Sequence, residues 1–165
     1  MSLSRGDTVY YRRSRFTTHL PRDRRYLPAH YWLLEESAGL WRVGFTKFAT
    51  RMLGDVVEYE FTRAPGGTIA VGDDIGWVEG LKAVTSVYAA GTGSFLGPGE
   101  DLQHDITLVD SDPYGRGWLY RFRGEPAPDS VDVAGYIAML DATIDRMLAS
   151  RHAGDPAEDQ GADEE

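Results

Sequence analysis

The chain contains no cysteine, so it has no disulfide framework, no thiolate metal site and no cysteine nucleophile. It has no apolar run approaching the roughly 18 residues that a helical membrane span needs. Positive charge is scarce. There are 17 Lys and Arg against 26 Asp and Glu, for a formal net charge of -9. That balance excludes a duplex-binding role, because phosphate binding needs a basic face. Lysine is scarcer still. Only Lys47 and Lys82 are lysines, and every other cation of fixed charge is an arginine. The two residue types solvate a surface about equally well. A lysine retained in such a chain is therefore a candidate for amine chemistry that a guanidinium cannot perform, acylation above all.

What is present suffices for a core. Of the 165 residues, 42% are hydrophobic and 12% aromatic, which fits one folded domain with tails and excludes a wholly disordered chain. Charge is unevenly spread. Residues 1–30 carry seven Arg and two Asp, whereas residues 150–165 carry one Arg and six acids. This divides the chain into a basic N-terminal extension (1–29), a folded domain (30–149) and an acidic, disordered tail (150–165). The stretch 1–25 has no apolar segment of the secretory kind, and none follows Arg12-Arg13, so a cytoplasmic setting is expected.

Strand patterns dominate the middle. Tyr31-Trp32-Leu33-Leu34 reads as a strand, Ser37-Ala38-Gly39 as a turn, and Leu40 to Val43 as the returning strand. Residues 45–53 fit a short helix that Thr46 could cap and Gly54 ends, with Phe48, Met52 and Leu53 facing inward. Asp55 to Phe61 alternates as a strand with one buried face, and Arg63 to Leu108 reads as short strands punctuated by glycine. Residues 117–123 form a last alternating strand. Residues 131–148 read as a helix, with Val133, Ile137, Leu140, Ile144 and Leu148 on one apolar face.

Two segments echo each other at an offset of 27 residues. Gly66, Gly72, Asp73, Asp74 and Ile75 map onto Gly93, Gly99, Glu100, Asp101 and Leu102. Each half reads as a strand, a Gly-acid-acid turn and the start of another strand, which predicts a mainly β, pseudo-twofold sandwich. The acids in these turns read as solvated turn residues. Between the halves, Gly76 to Tyr88 rises into a tight turn at Gly80 and returns, with Lys82 at the crest. That geometry presents one lysine amine to modifying and partner enzymes.

At this point a resemblance becomes specific. Glu79-x-x-Lys82-Ala83-Val84 followed by Val87-Tyr88 resembles the lipoylation motif of the glycine cleavage system H protein family. His30-x-Trp32, Gly44-x-Thr46 with Ala49, Leu53-Gly54-Asp55-Val56 and Asp112-Pro113-Tyr114-Gly115-x-Gly117-Trp118 are similar to further motifs of that family, in the same order. The resemblance spans about His30 to Leu148. It implies a lipoyl-domain-like fold, the barrel-sandwich hybrid or "hammerhead", with a short helix near 46–53 and a C-terminal helix near 131–148.

It implies lipoate amide-linked to Lys82, with Glu79, Gly80, Leu81, Ala83 and Val84 around the attachment point and Glu79 recognised by the lipoate-attaching enzyme. His30, Asp55, Tyr88 and Tyr114 are the candidates for facing partners or cradling the arm. From its residues alone, His30 reads as a structural hydrogen-bonding histidine. The implied protein is a non-catalytic carrier, the chemistry being lipoamide's. Its cargo would be an aminomethyl group, taken at glycine decarboxylase and given up at the aminomethyltransferase, with lipoamide dehydrogenase as the third partner. No metal, membrane or nucleic-acid partner is expected.

Four features depart from the family pattern. Lys47 stands where an acidic residue is common, Gly91-Thr92-Gly93-Ser94 replaces a proline-containing link, the N-terminus is longer and more basic, and the acidic tail is extra. The Phe45–Leu53 segment and the long N-terminus resemble the H-like lipoate-binding proteins of cytoplasmic sulfur oxidation, whose arm serves a heterodisulfide-reductase-like complex and carries sulfur. A third reading is an unmodified interaction module that has kept only the fold. The four histidines show no metal-ligand spacing.

Overall fold

The computed structural model describes residues 5–153. A 3-10 turn at Arg5–Asp7 leads into β1 (Thr8–Arg13) and β2 (Phe16–Pro21), followed by β3 (Arg25–Tyr26), β4 (Tyr31–Ser37), β5 (Leu40–Phe45) and α1 (Lys47–Leu53). Next come β6 (Val56–Phe61), β7 (Thr68–Ile69), β8 (Asp74–Gly80), β9 (Val84–Tyr88) and β10 (Gly91–Pro98). The chain closes with α2 (Leu108–Ser111), β11 (Tyr120–Pro126) and α3 (Val133–Ala153). Three antiparallel sheets result: a hairpin β1-β2, a six-stranded sheet β3-β4-β5-β11-β10-β7 and a three-stranded sheet β6-β8-β9.

The main core lies between the six- and three-stranded sheets. Leu33, Val43, Phe95 and Phe122 from the first meet Val56, Ile75, Val78 and Val87 from the second, all buried. A second core covers the opposite face of β4. There Trp32 is enclosed by Phe16, Leu20, Phe48, Tyr136 and Leu140 from the hairpin, α1 and α3. β4 therefore buries both faces at its start, which explains its unbroken apolar run. The Trp32 indole N–H donates to the Pro113 carbonyl at 2.9 Å, and the Arg24 guanidinium lies 4.4 Å from the ring centre. Gly44 is fixed by the same ring, because a Cβ there would come within 2.5 Å of the indole.

Several expectations need correction. The line drawn at residue 30 falls inside one sheet, because β3 pairs with β4 through Arg25↔Leu33 and Tyr26↔Trp32. The stretch before it is a folded hairpin whose Tyr11, Phe16 and Leu20 cover the second core. The C-terminal helix starts at Val133 instead of 131 and runs to Ala153, so Ser150 to Ala153 belong to it and not to a tail. The rest of the expected acidic tail lies outside the described residues. The last strand is Tyr120–Pro126 instead of 117–123, because Gly117 to Leu119 form the exit from a turn.

The second half of the 27-residue echo breaks down after Gly99. Ile75 opens a strand, but Leu102, though as deeply buried, sits in a run of turns leading to α2. The acids of both halves do serve turns. Asp73 accepts from the Ala70 N–H, Asp74 from the Gly76 N–H, and Asp101 pairs with Arg116. α1 begins with Thr46 as its N-cap and ends at Gly54, but Met52 points outward at 48% exposure while Thr50 is buried. In a seven-residue helix the inward face of the last turn has room for two side chains, and Thr50 and Leu53 occupy it.

Candidate functional site

The site is the turn joining β8 to β9. Glu79 pairs with Val84, and the Gly80 N–H donates to the Ala83 carbonyl at 2.8 Å, leaving Leu81 and Lys82 at the tip. The expected turn at Gly80 is thus displaced. Gly80 is the last residue of β8, and Lys82 is on the crest.

The crest is held by the end of α1. The Lys82 N–H donates to the Leu53 carbonyl at 2.8 Å and the Leu81 N–H to the Asp55 carbonyl at 2.9 Å. The Leu53 carbonyl is left free where the helix stops and Asp55 follows just beyond it, so the helix end and the crest satisfy each other. The stop itself depends on Gly54, whose φ of 76° lies in the region that favours glycine. Gly80 is needed for another reason, since a Cβ there would run into the Leu53 carbonyl. Asp110 of α2 adds a further tie, accepting from the Val56 N–H at 3.0 Å and fixing the start of β6.

The backbone is fixed and the amine is not. Lys82 is exposed, and its Nζ makes a long contact to the Arg51 carbonyl at 3.5 Å. Leu81 and Val84 beside it are 72% and 64% exposed, an apolar surface around the amine that nothing in the described chain covers. Glu79 is half-buried, and no partner for its carboxylate occurs among the described residues. Ala83 is exposed and completes the turn.

Three concavities adjoin the crest. One of about 310 Å³ lies between Lys47, Asp55, Asp110 and Lys82. A second, also about 310 Å³, lies behind Ala83 and Val84 and is lined by His30, Tyr31, Phe45 and Ala49. The third, about 390 Å³, is a groove between the β1-β2 turn and α3, with Lys82 on its edge.

The four outer candidates divide. Asp55 and Tyr88 are exposed and near the crest, each lining one of these concavities. Tyr114 is not at the crest. Its hydroxyl accepts from the Lys47 N–H at 3.0 Å and lies 3.3 Å from the Thr18 hydroxyl, tying α1 to the hairpin. Its phenol is shifted upward by burial. His30 borders the second concavity, but its ring belongs to an internal network. Thr46, whose oxygen caps α1, also contacts the Tyr136 hydroxyl at 2.8 Å, and that hydroxyl meets His30 Nδ1 at 2.8 Å.

Burial lowers the His30 imidazole to about 4, so it is neutral at pH 7 and Nδ1 can accept from the Tyr136 hydroxyl. Burial raises the Tyr31 phenol to about 12, and its hydroxyl accepts from the Tyr88 N–H at 2.9 Å. Arg13, Arg15 and Arg51 at the third concavity were not singled out in the sequence. The alternation Phe16-Thr17-Thr18-His19-Leu20 is the signal that places the first two on a hairpin turn.

The fold and the site together define a lipoyl-domain-like β-sandwich that displays a single lysine on a braced hairpin crest. Comparison with known proteins gives its family. The sequence profile described as "Glycine cleavage H-protein" matches residues 24–134, and the chain belongs to that family. The chain is 39% identical over 122 residues to the glycine cleavage system H protein of Pseudoalteromonas atlantica, covering 72% of this chain and 94% of that protein. It is 38% identical over 112 residues to that of a Psychrobacter species, covering 68% and 88%. Among solved structures it is similar to the glycine cleavage system H protein from Mycobacterium marinum, with a TM-score of 0.66, 28% identity, and coverage of 74% of this chain and 99% of that one. The β1-β2 hairpin and most of α3 lie outside the matched residues.

Proposed function

We propose that the chain is a lipoyl carrier of the glycine cleavage H type, with lipoate joined by an amide to Lys82. The observation that supports this most directly is the crest itself: an exposed lysine side chain on a backbone tied to Leu53 and Asp55. A modifying enzyme needs an amine that it can surround and a turn that does not yield, and the crest offers both. The residues fit the group. The amine has room to be acylated, and the exposed Leu81 and Val84 give an apolar chain surface to rest on.

When bound, lipoamide supplies a dithiolane that opens, takes a group or electrons on sulfur, and closes again. This chain's residues do the rest. Glu79 marks the turn for the lipoate-attaching enzyme, Gly80 and Gly54 let the crest sit on the helix end, and Asp55 and Tyr88 border the surfaces over which the arm moves. In this reading the protein is a non-catalytic subunit working in the cytoplasm. It exchanges an aminomethyl cargo among glycine decarboxylase, aminomethyltransferase and lipoamide dehydrogenase.

One observation favours a second cargo. Among the described residues no carboxylate lines the concavity behind Ala83 and Val84, and His30 there is neutral at pH 7. An ammonium-bearing cargo lodged in it would have no counter-charge. Sulfur carried to a heterodisulfide-reductase-like complex makes no such demand.

Lipoylation in vitro tests the common claim. With a lipoate-attaching enzyme and ATP, the wild-type chain gains one lipoyl group and Lys82→Arg gains none. Labelling at Lys47, or of Lys82→Arg, would refute the assignment. The two cargoes separate in reconstitution. Transfer of the glycine α-carbon to folate by the lipoylated chain with glycine decarboxylase and aminomethyltransferase supports the first, and its absence with active partner enzymes supports the second.

A further inference from the structure

The groove between the β1-β2 turn and α3 has an apolar floor that is only partly closed over. Phe16 and Phe48 meet edge to face in it at 5.4 Å. Ile144, Met147 and Leu148 line it from α3, where spacings of three and four put them on one face. Met147, and Met52 of α1, are 41% and 48% exposed there. Unbranched thioethers reshape to what is laid on them, which suits a docking surface better than a core. The turn's contribution, Arg13 to Phe16, and all of that of α3 lie outside the residues matched to the family, 24–134.

The rim is cationic in a chain whose net charge is -9. It carries Arg13, Arg15, Arg51 and Arg151, and among the described residues no carboxylate lines the groove. Asp141 and Asp145 are turned onto Arg13, which donates to Asp145 at 2.9 Å and 3.0 Å and approaches Asp141 at 3.4 Å. Arg15, Arg51 and Arg151 have no carboxylate partner among the described residues. Arg51 lies instead 5.7 Å from the Phe16 ring centre. Lys82 lines the same groove, so whatever docks in it lies beside the crest.

We propose that this groove docks an acidic amphipathic helix of a partner protein that works at Lys82. The helix lays its apolar face on the methionines and aromatics of the floor, and its flanking carboxylates meet Arg15, Arg51 and Arg151. A basic segment is turned away by the same rim, so the surface sorts partners by charge. The chain's own residues 154–165 carry six acids but no apolar side chain larger than proline, so they do not supply what the floor takes. That the partner works at Lys82 rests on the carrier reading, whereas the docking rests on the groove.

Peptide binding to the full chain tests this. The probe is a fluorescein-labelled peptide of about 18 residues, long enough to form a helix, with leucine on one face, glutamate on its flanks and alanine elsewhere. One control replaces the glutamates by lysine, the other the leucines by serine. Fluorescence anisotropy should show the probe binding roughly tenfold tighter than either control. The double variant Arg15→Gln, Arg151→Gln should bind it roughly threefold to tenfold more weakly, and both altered side chains are exposed in the wild type. The methyl signals of Met52, Met147 and Leu148 should move as the probe is added.

A lysine or serine peptide that binds as well as the probe would overturn the proposal, and so would binding that leaves those methyl signals in place. Binding that appears only once residues 154–165 are removed would also overturn it and give the groove to that acidic segment. Intact mass after in vitro lipoylation keeps the two levels apart. A chain that is lipoylated but binds no acidic peptide refutes only the docking surface. A chain that binds the peptide and takes no lipoate refutes the carrier reading and keeps the docking surface.

Discussion

At the scale of single residues, the site depends on two glycines and one histidine besides Lys82. Gly80→Ala pushes a Cβ against the Leu53 carbonyl, and backbone on both sides leaves little room to give. We expect a loss of about 1–3 kcal/mol in denaturant unfolding and slower lipoylation at Lys82. Wild-type stability in that variant would mean that the crest does not rest on the helix end as described.

His30 carries a pH prediction. Its folded value of about 4 lies below the ordinary 6.5, so between these values the unfolded chain binds the extra proton. Stability is therefore complete above about pH 6.5 and falls as pH drops towards 4, by an amount on the order of 2–3 kcal/mol. Urea unfolding at pH 7 and pH 4.5 measures it. His30→Asn should remove most of the slope, since asparagine tolerates the φ of 72° found there and does not titrate. An unchanged slope would show that other groups set it.

At the scale of elements, the hairpin β1-β2 is a structural cover for Trp32. Phe16 is its central contact, buried against Phe48 and facing Tyr11 at 6.1 Å. Phe16→Ala is expected to cost about 3–4 kcal/mol in chemical denaturation, with a change in tryptophan emission. A loss below about 1 kcal/mol would mean that the hairpin is detached in solution.

The elements were unevenly legible in the sequence. β4, β5, α1 and β6 could be read because their signals are local: alternation, the Thr46 cap, the Gly54 stop. The lysine crest was legible from Glu79 to Tyr88 for the same reason, although its tip is Leu81-Lys82 and not Gly80. The hairpin was obscured by arginine. Its buried face alternates as Phe16, Thr18, Leu20, but the charged neighbours give it the composition of an extension. α2 is four residues long and has no period to detect. The second half of the 27-residue echo has the right residue types and a buried Leu102, yet that segment forms a run of turns instead of a strand. Met52 and Tyr114 show the remaining limit. Helical spacing and motif position do not say which surface neighbouring elements will cover.

At the scale of the whole molecule, charge and shape converge on one end. The three-stranded sheet and the end of α1 brace the crest, and the hairpin and α3 add a cationic wall beside it on an otherwise acidic chain. This predicts that binding of an acidic peptide probe near Lys82 weakens as salt rises. A salt-independent affinity would contradict the arginine wall.

Everything proposed for the crest depends on lipoate being carried by Lys82. The most direct measurement is intact and peptide mass spectrometry of the chain purified from its native cells grown with lipoate available. One lipoyl group per chain is expected, on the peptide containing Lys82, with the Lys47 peptide unmodified. An unmodified Lys82 would contradict it and leave the crest as the contact surface of an interaction module.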